Sequence, residues 1–190
     1  MDFVAWVVIA LIVVLVVGLV ALYNRLVRLR NGSEEGWAQI DVQLKRRYDL
    51  VPNLVATVKG YAAHERDTFE AVTRARTEAV DASGVEDQAR AENILSGVLG
   101  RLFALAEAYP RLQADDNFLA LQEELSETEG RIGFARQYYN ERVLGYDNAL
   151  GAFPSNLVAG AFGFRPKPFF ETEPEARGPV AVDFDSPSGR

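Results

Sequence analysis

The chain contains no cysteine and one histidine, His64. Without thiols there is no disulfide framework, no thiol nucleophile, no cysteine-ligated zinc and no lipid-modified N-terminal cysteine. A single imidazole also excludes a two-histidine metal centre within one chain. No Lys or Arg precedes Arg25, no glycine-rich phosphate loop occurs, and no strand-like alternation of any length appears. The net charge of −7 opposes phosphate backbones, so no nucleic acid is expected as a partner. Yet 48% of the residues are hydrophobic and 25% charged, the balance of a folded protein rather than a disordered one. The 190 residues are about one domain's worth.

The apolar residues are concentrated at one end. Phe3 to Leu22 reads FVAWVVIALIVVLVVGLVAL, without a charge. At a helical rise of about 1.5 Å per residue this stretch spans roughly 30 Å, the hydrocarbon thickness of a bilayer. Trp6 and Tyr23 lie near its ends, where amphipathic rings favour the headgroup level. A cleaved signal peptide would have a basic start, a shorter core and a small-x-small site, none of which is present. Arg25, Arg28 and Arg30 follow the span directly, so the positive-inside rule places the body in the cytoplasm, the N-terminus outside, and a single pass in the plasma membrane.

Beyond the span the periodicity is helical. Trp37, Ile40, Leu44, Tyr48, Val51, Val55 and Val58 recur at steps of three and four, and the stripe continues through Ala62, Phe69, Val72 and Ala79. Pro52 interrupts it, and a proline removes one helical hydrogen bond and crowds the preceding turn. A single rod over residues 24–80 would be about 85 Å long and would leave the Trp37–Val51 seam without a partner in the chain. A reversal near Pro52 covers every seam. Asp81 to Gly84 is a clear break, with Ser83 a candidate N-cap. A helix over residues 86–109 ends at Pro110. The last, over 114–152, has Asp115 and Asp116 at its start and a regular seam from Phe118 to Phe153. Thr128 on that seam can bond back to its own helix. The expected fold is all-α: an N-terminal transmembrane helix and an antiparallel helical bundle, four helices with a break at Pro52 being favoured over three long ones. The expected divisions are an anchor at 1–23, the bundle at 24–152, an aromatic and basic segment at 153–170, and an acidic tail rich in Pro, Gly and Ser at 171–190.

The run from Trp37 to Val55, WAQIDVQLKRRYDLVPNLV, continuing through Thr57-Val58-Lys59-Gly60-Tyr61-Ala62 and His64-Glu65, resembles the signature of LemA proteins. Tyr23-Asn24 upstream fits as well, as do Thr128-Glu129, Tyr139-Asn140, Phe153-Pro154, Asn156-Leu157 and Gly163-Phe164 downstream. The chain departs from the pattern at Gly36, where a better helix former is usual, and at Tyr146-Asp147-Asn148, which interrupts an expected Tyr-Asn pair. The resemblance implies a bacterial single-pass membrane protein with a cytoplasmic helical bundle. It brings no catalytic residues and no cofactor. It also implies an unidentified protein partner, a membrane metallopeptidase or another small membrane protein, because relatives are often encoded beside such genes.

Two groups of residues stand out as contact sites. Lys45, Arg46 and Arg47 form the densest basic cluster. Residues 24–60 carry seven Lys or Arg against four acids, a net of +3, and residues 61–190 carry thirteen against twenty-two, a net of −9. The trio is therefore a candidate contact for anionic lipid or a partner, and pairing of Arg46 and Arg47 with acids on neighbouring helices is the simpler structural account. Phe153, Phe162, Phe164, Arg165, Lys167, Phe169 and Phe170 mix aromatic and basic groups, which suits either the lipid interface or a cap on the bundle end. His64-Glu65 begins like a zinc-hydrolase helix but lacks the second histidine. The function expected is a non-enzymatic interaction or scaffold protein. A self-assembling protein that organises membrane, as a homo-oligomer, is the alternative, and an accessory subunit of a membrane protease or other enzyme is a second.

Overall fold

The computed structural model describes residues 3–171, and all its regular structure is helical. The tail expected at 171–190 lies outside these residues except for Glu171. Helix α1 (Phe3–Tyr61) runs unbroken for 59 residues, from the apolar stretch into the body of the protein. The turn after it leads to α2 (Arg66–Asp81), α3 (Val85–Ala106), the short α4 (Pro110–Gln113), α5 (Asp116–Gly151) and α6 (Ser155–Phe162).

The reversal expected at Pro52 falls instead at residues 62–65. Pro52 lies inside α1 and has no N–H to offer the carbonyl of Tyr48, four residues earlier. That carbonyl has another donor: Arg76 of α2 reaches it through Nε at 2.7 Å. The orphan acceptor is satisfied from outside the helix, so the helix continues. A four-helix body is still formed, because α1 (beyond the apolar stretch), α2, α3 and α5 supply it with the turn moved about ten residues along. Ser83 is likewise not the cap of α3. Gly84 occupies that position at φ 84°, in the left-handed region that favours glycine, and no side chain caps the helix. At the start of α5, where Asp115 and Asp116 were expected, Asp115 is the N-cap and accepts a hydrogen bond from the Phe118 amide at 2.9 Å.

Helix α5 returns antiparallel to α1. Tyr61 donates to Asp115 at 2.8 Å at the far end, Gly36 faces Tyr139 in the middle, and Leu26 shares a buried cluster with Ala149 near the apolar stretch. Gly36 explains how closely the two approach. A Cβ built there would lie 3.1 Å from the Tyr139 Cα, tighter than backbone allows without a shift. The departure from the family pattern thus serves a helix crossing, and α1 stays helical through it.

Helices α2 and α3 are much shorter than α5, 16 and 22 residues against 36. Their connecting turn reaches back to the level of Tyr48, whose hydroxyl contacts the Ala79 carbonyl, and Val85 and Ala89 at the start of α3 pack against the cluster of Ile40 and Leu44. The far half of the body is therefore four helices thick. Its core runs from Val51 and Leu54 through Phe69, Val72, Leu95 and Leu102 to Phe118. The near half is the α1–α5 pair, with Ile40, Leu44, Ile132, Tyr139 and Val143 buried between them. Thr128 on the α5 seam is fully buried and bonds the Glu124 carbonyl at 2.7 Å.

Candidate functional site

Two places concentrate chemistry. The first is a polar knot at the level of Arg47 and Tyr48, where the four-helix half begins. Arg47 is 4% exposed. Its guanidinium pairs with Glu92 of α3 at 3.0 Å and Glu129 of α5 at 2.9 Å, and donates to Ser96 at 2.8 Å. The Tyr48 hydroxyl donates to the other oxygen of Glu92. Gln88 donates through Nε2 to the Tyr48 hydroxyl at 2.8 Å and to the Ala79 carbonyl at 3.0 Å. With Arg76 on the Tyr48 carbonyl, residues from α1, α2, α3 and α5 meet in one network. Burial raises the Glu92 carboxyl above its ordinary range, against the opposing pull of Tyr48 and Arg47. Burial and the neighbouring Glu92 also push the Tyr48 phenol strongly upward. Such pairing suits a structural lock, since both terminal nitrogens of the guanidinium are engaged with partners on α3 and α5. A cleft of about 420 Å³ opens beside it between α3 and α5, with Leu99, Phe103 and Leu125 among its lining.

The second place is the end of the body next to the apolar stretch. After α5 the chain folds α6 against α1, burying Ser155, Val158 and Ala159. Phe162 and Phe164 set their rings edge-on to Tyr23, centroids at 5.0 and 5.6 Å, and the Arg30 guanidinium lies 5.8 Å from the Phe164 ring. Phe153 is 80% exposed, Leu157 64% and Phe162 54%. The chain then runs back along the α1–α5 pair as a strap. Lys167 pairs with Glu34 at 3.1 Å, Tyr139 donates to the Pro168 carbonyl at 2.8 Å, and Asn140 exchanges two hydrogen bonds with the Phe170 backbone. Phe170 is buried between Trp37 and Arg136, its ring 5.9 Å from the indole and 5.3 Å from the guanidinium carbon.

The segment read from sequence as one aromatic and basic group is thus divided. Phe153 and Phe162 project outward at the apolar end, and Phe164 is half-buried against Tyr23. Lys167 and Phe170 fasten the strap, with Arg165 and Phe169 on its outer side. The basic trio is divided too. Three consecutive helical residues point in different directions: Lys45 is exposed, Arg46 is partly exposed with Glu127 at 3.9 Å, and Arg47 is buried in the knot. His64 is exposed beyond the end of α1. Among the described residues, no three His, Asp or Glu side chains gather as a metal site would require.

Residues 36–184 match the model of the LemA family, from the Gly36 crossing through the body and strap. The chain belongs to the LemA family. Among curated proteins this LemA chain is 27% identical over 195 aligned residues to magnetosome protein MamQ 2 of Paramagnetospirillum magneticum, and equally to MamQ 1 of the same organism. The alignment covers 89% of the chain and 72% of each relative. Magnetosome protein MamQ of Magnetospirillum gryphiswaldense is 25% identical, with 83% of the chain and 68% of the relative aligned.

Sequence reasoning about this LemA protein did not single out Gln88, Glu92 or Arg76. A signal for the first two was present: Gln88 and Glu92 fall in step with Leu95, Leu99 and Leu102, polar groups on the buried stripe of α3. Polar residues at core positions need partners, and the preceding α1 offered Arg47 and Tyr48.

Proposed function

We propose that the protein is a membrane-anchored, non-enzymatic interaction protein whose helical body faces the cytoplasm. The observation that carries this reading is the continuity of α1. The stretch from Phe3 is long and apolar enough to cross a bilayer, none of it is buried by the rest of the chain, and it enters the body without a joint. A rigid link of this kind holds the body at a fixed height and tilt. The outward-facing Phe153, Leu157 and Phe162 lie where the apolar stretch ends, next to Tyr23, as a collar in the headgroup layer would. Arg25 and Arg28, both exposed, supply charge for anionic lipid at that level.

Lys45 and Arg46 suit a protein partner better than lipid. They lie about 33 Å further along α1 at helical rise, whereas screening at physiological salt acts within about 8 Å. A scaffold role in organising a cellular structure is the reading most compatible with relatives named as magnetosome proteins. A membrane metallopeptidase or another small membrane protein is the partner class the family resemblance suggests.

The test is protease accessibility of the full chain in vesicles of known orientation. In inverted cytoplasmic-membrane vesicles, protease is expected to digest the body and leave a fragment of about the first two dozen residues, the length a bilayer protects. In right-side-out vesicles the body should survive. Digestion in right-side-out vesicles would reverse the topology, and recovery of the chain in the soluble fraction would overturn the anchor.

A further inference from the structure

The strap and the α2–α3 turn cover one side of the α1–α5 pair. The opposite side is bare. There a groove of about 680 Å³ runs between the two helices, lined by Ala38, Val42, Phe134 and Tyr138 among others. Phe134 is 78% exposed and Val42 62%, large apolar groups side by side at its centre. Gln43, also in the lining, has a buried Oε1 with no hydrogen-bond donor among the described residues.

Charges of both signs flank the apolar centre, and their arrangement is self-complementary. Because α5 is antiparallel to α1, each step outward along α1 is matched by a step back along α5. Glu35 therefore lies level with Tyr138 and Arg142, Val42 with Phe134, and Arg46 with Glu127 and Arg131. On the α1 edge the order away from the membrane is acid then base. On the α5 edge it begins with base, Arg142, and ends with Arg131 and Glu127, an ion pair at 2.6 Å that Arg46 of the same chain approaches at 3.9 Å. Two copies anchored in one bilayer with the same topology share the membrane normal as their only possible two-fold axis. That axis sets α1 of one copy against α5 of the other at equal height. Glu35 then meets the other copy's Arg142, and Val42 meets its Phe134. A hydrophobic centre with a charged rim is the usual anatomy of a protein interface, and a symmetric dimer pairs the same patch on both subunits.

We infer that this open α1–α5 face is a dimerisation surface, and that its occupant is the same face of a second copy of this chain. The inference rests on the anchored reading above, because the shared membrane fixes the relative orientation of the two copies. It names the partner of one surface of the scaffold and leaves the collar and the outer end free for others.

The chain has no cysteine of its own, so single thiols report contacts directly. Full-length Val42→Cys and Phe134→Cys chains carrying different tags would be co-expressed and crosslinked with a short bis-maleimide in native membranes. Mixed crosslinked dimer is expected several-fold above that of a control pair, Glu78→Cys with Arg101→Cys, at exposed positions on α2 and α3. Adding Glu35→Arg to both chains should cut the yield several-fold, and combining it with Arg142→Glu should restore it. Membrane-located chains whose thiols all react with a monofunctional maleimide, but whose Val42–Phe134 yield equals the control, would overturn the dimer and leave the anchor standing. The same would follow from a Val42–Val42 product exceeding the mixed one, since that pairing needs a different axis. Chains found outside the membrane fraction would overturn both readings.

Discussion

The two halves of the body are built differently. The outer half packs α2, α3, α4 and the start of α5 around the end of α1, and its buried cluster is continuous from Val51 to Leu125. The half next to the apolar stretch is a two-helix stalk, held by close backbone approach at Gly36, by a strap along one side and by α6 at its base. The outer half can bury its own apolar faces. The stalk cannot, since two helices cover only one side of each other. Exposed apolar groups therefore concentrate on the stalk and its base, at Val42, Phe134, Phe153 and Leu157. Stability resides mainly in one half, and surfaces free to meet other molecules in the other.

The boundary between the halves is the knot at Arg47, and cutting it should have the largest effect. Arg47→Ala leaves Glu92 buried beside Tyr48 without its cation. Removing one partner of a buried ion pair costs about 3–5 kcal/mol. Thermal unfolding of the full chain in detergent, followed by circular dichroism, should show a loss of that order and a separation of the two halves' transitions. Lys45→Ala, one turn-direction away and exposed, should change little. Equal effects from the two would mean that the knot does not join the halves.

A smaller loss is expected from the stalk. Gly36→Leu puts a side chain where a Cβ alone already sits 3.1 Å from the Tyr139 Cα. Overpacking a tight contact costs about 1–3 kcal/mol. Gly133 lies on the same pair of helices with nothing within 4 Å of its added Cβ. Gly133→Leu should be neutral or stabilising by up to about 1 kcal/mol, the helix-propensity gain over glycine. The difference between the two melting temperatures measures how closely α1 and α5 pack. No difference would remove the close crossing from the account of the stalk.

Much of this architecture was legible in the residues. The α5 seam is read from spacing, and Phe118, Leu125, Ile132, Tyr139, Val143 and Tyr146 are buried, whereas Phe153, its expected last member, lies past the helix and is exposed. Periodicity is a local property, and a long amphipathic helix declares it without help from the rest of the fold. Contacts between distant segments were not legible in the same way. The acids that hold Arg47 come from α3 and α5, and composition offered many acids without indicating which. The collar at Tyr23 depended on where α5 ends relative to α1, which followed from the position of the reversal. That position was misjudged for a reason confined to one carbonyl: the rule against proline in helices assumes that the freed acceptor has no other donor.

The smallest expected effect tests that reason. Arg76→Ala removes the side-chain donor to the part-buried Tyr48 carbonyl, and an acceptor left unsatisfied costs at most about 1–3 kcal/mol, the range for full burial. Some of that loss would also come from the arginine stem, so the single variant does not isolate the bond. Pro52→Ala restores an N–H four residues after Tyr48 and lets the helix satisfy its own carbonyl. In that background Arg76→Ala should cost less, and the coupling between the two sites, of the order of 1 kcal/mol, is what the Arg76 bond contributes because a proline is present. Additive effects would mean that α1 tolerates Pro52 for some other reason. Strong coupling would mean that α2 holds the outer part of α1 in line, so that α1 stays helical as far as Tyr61 only because the outer half has folded around it.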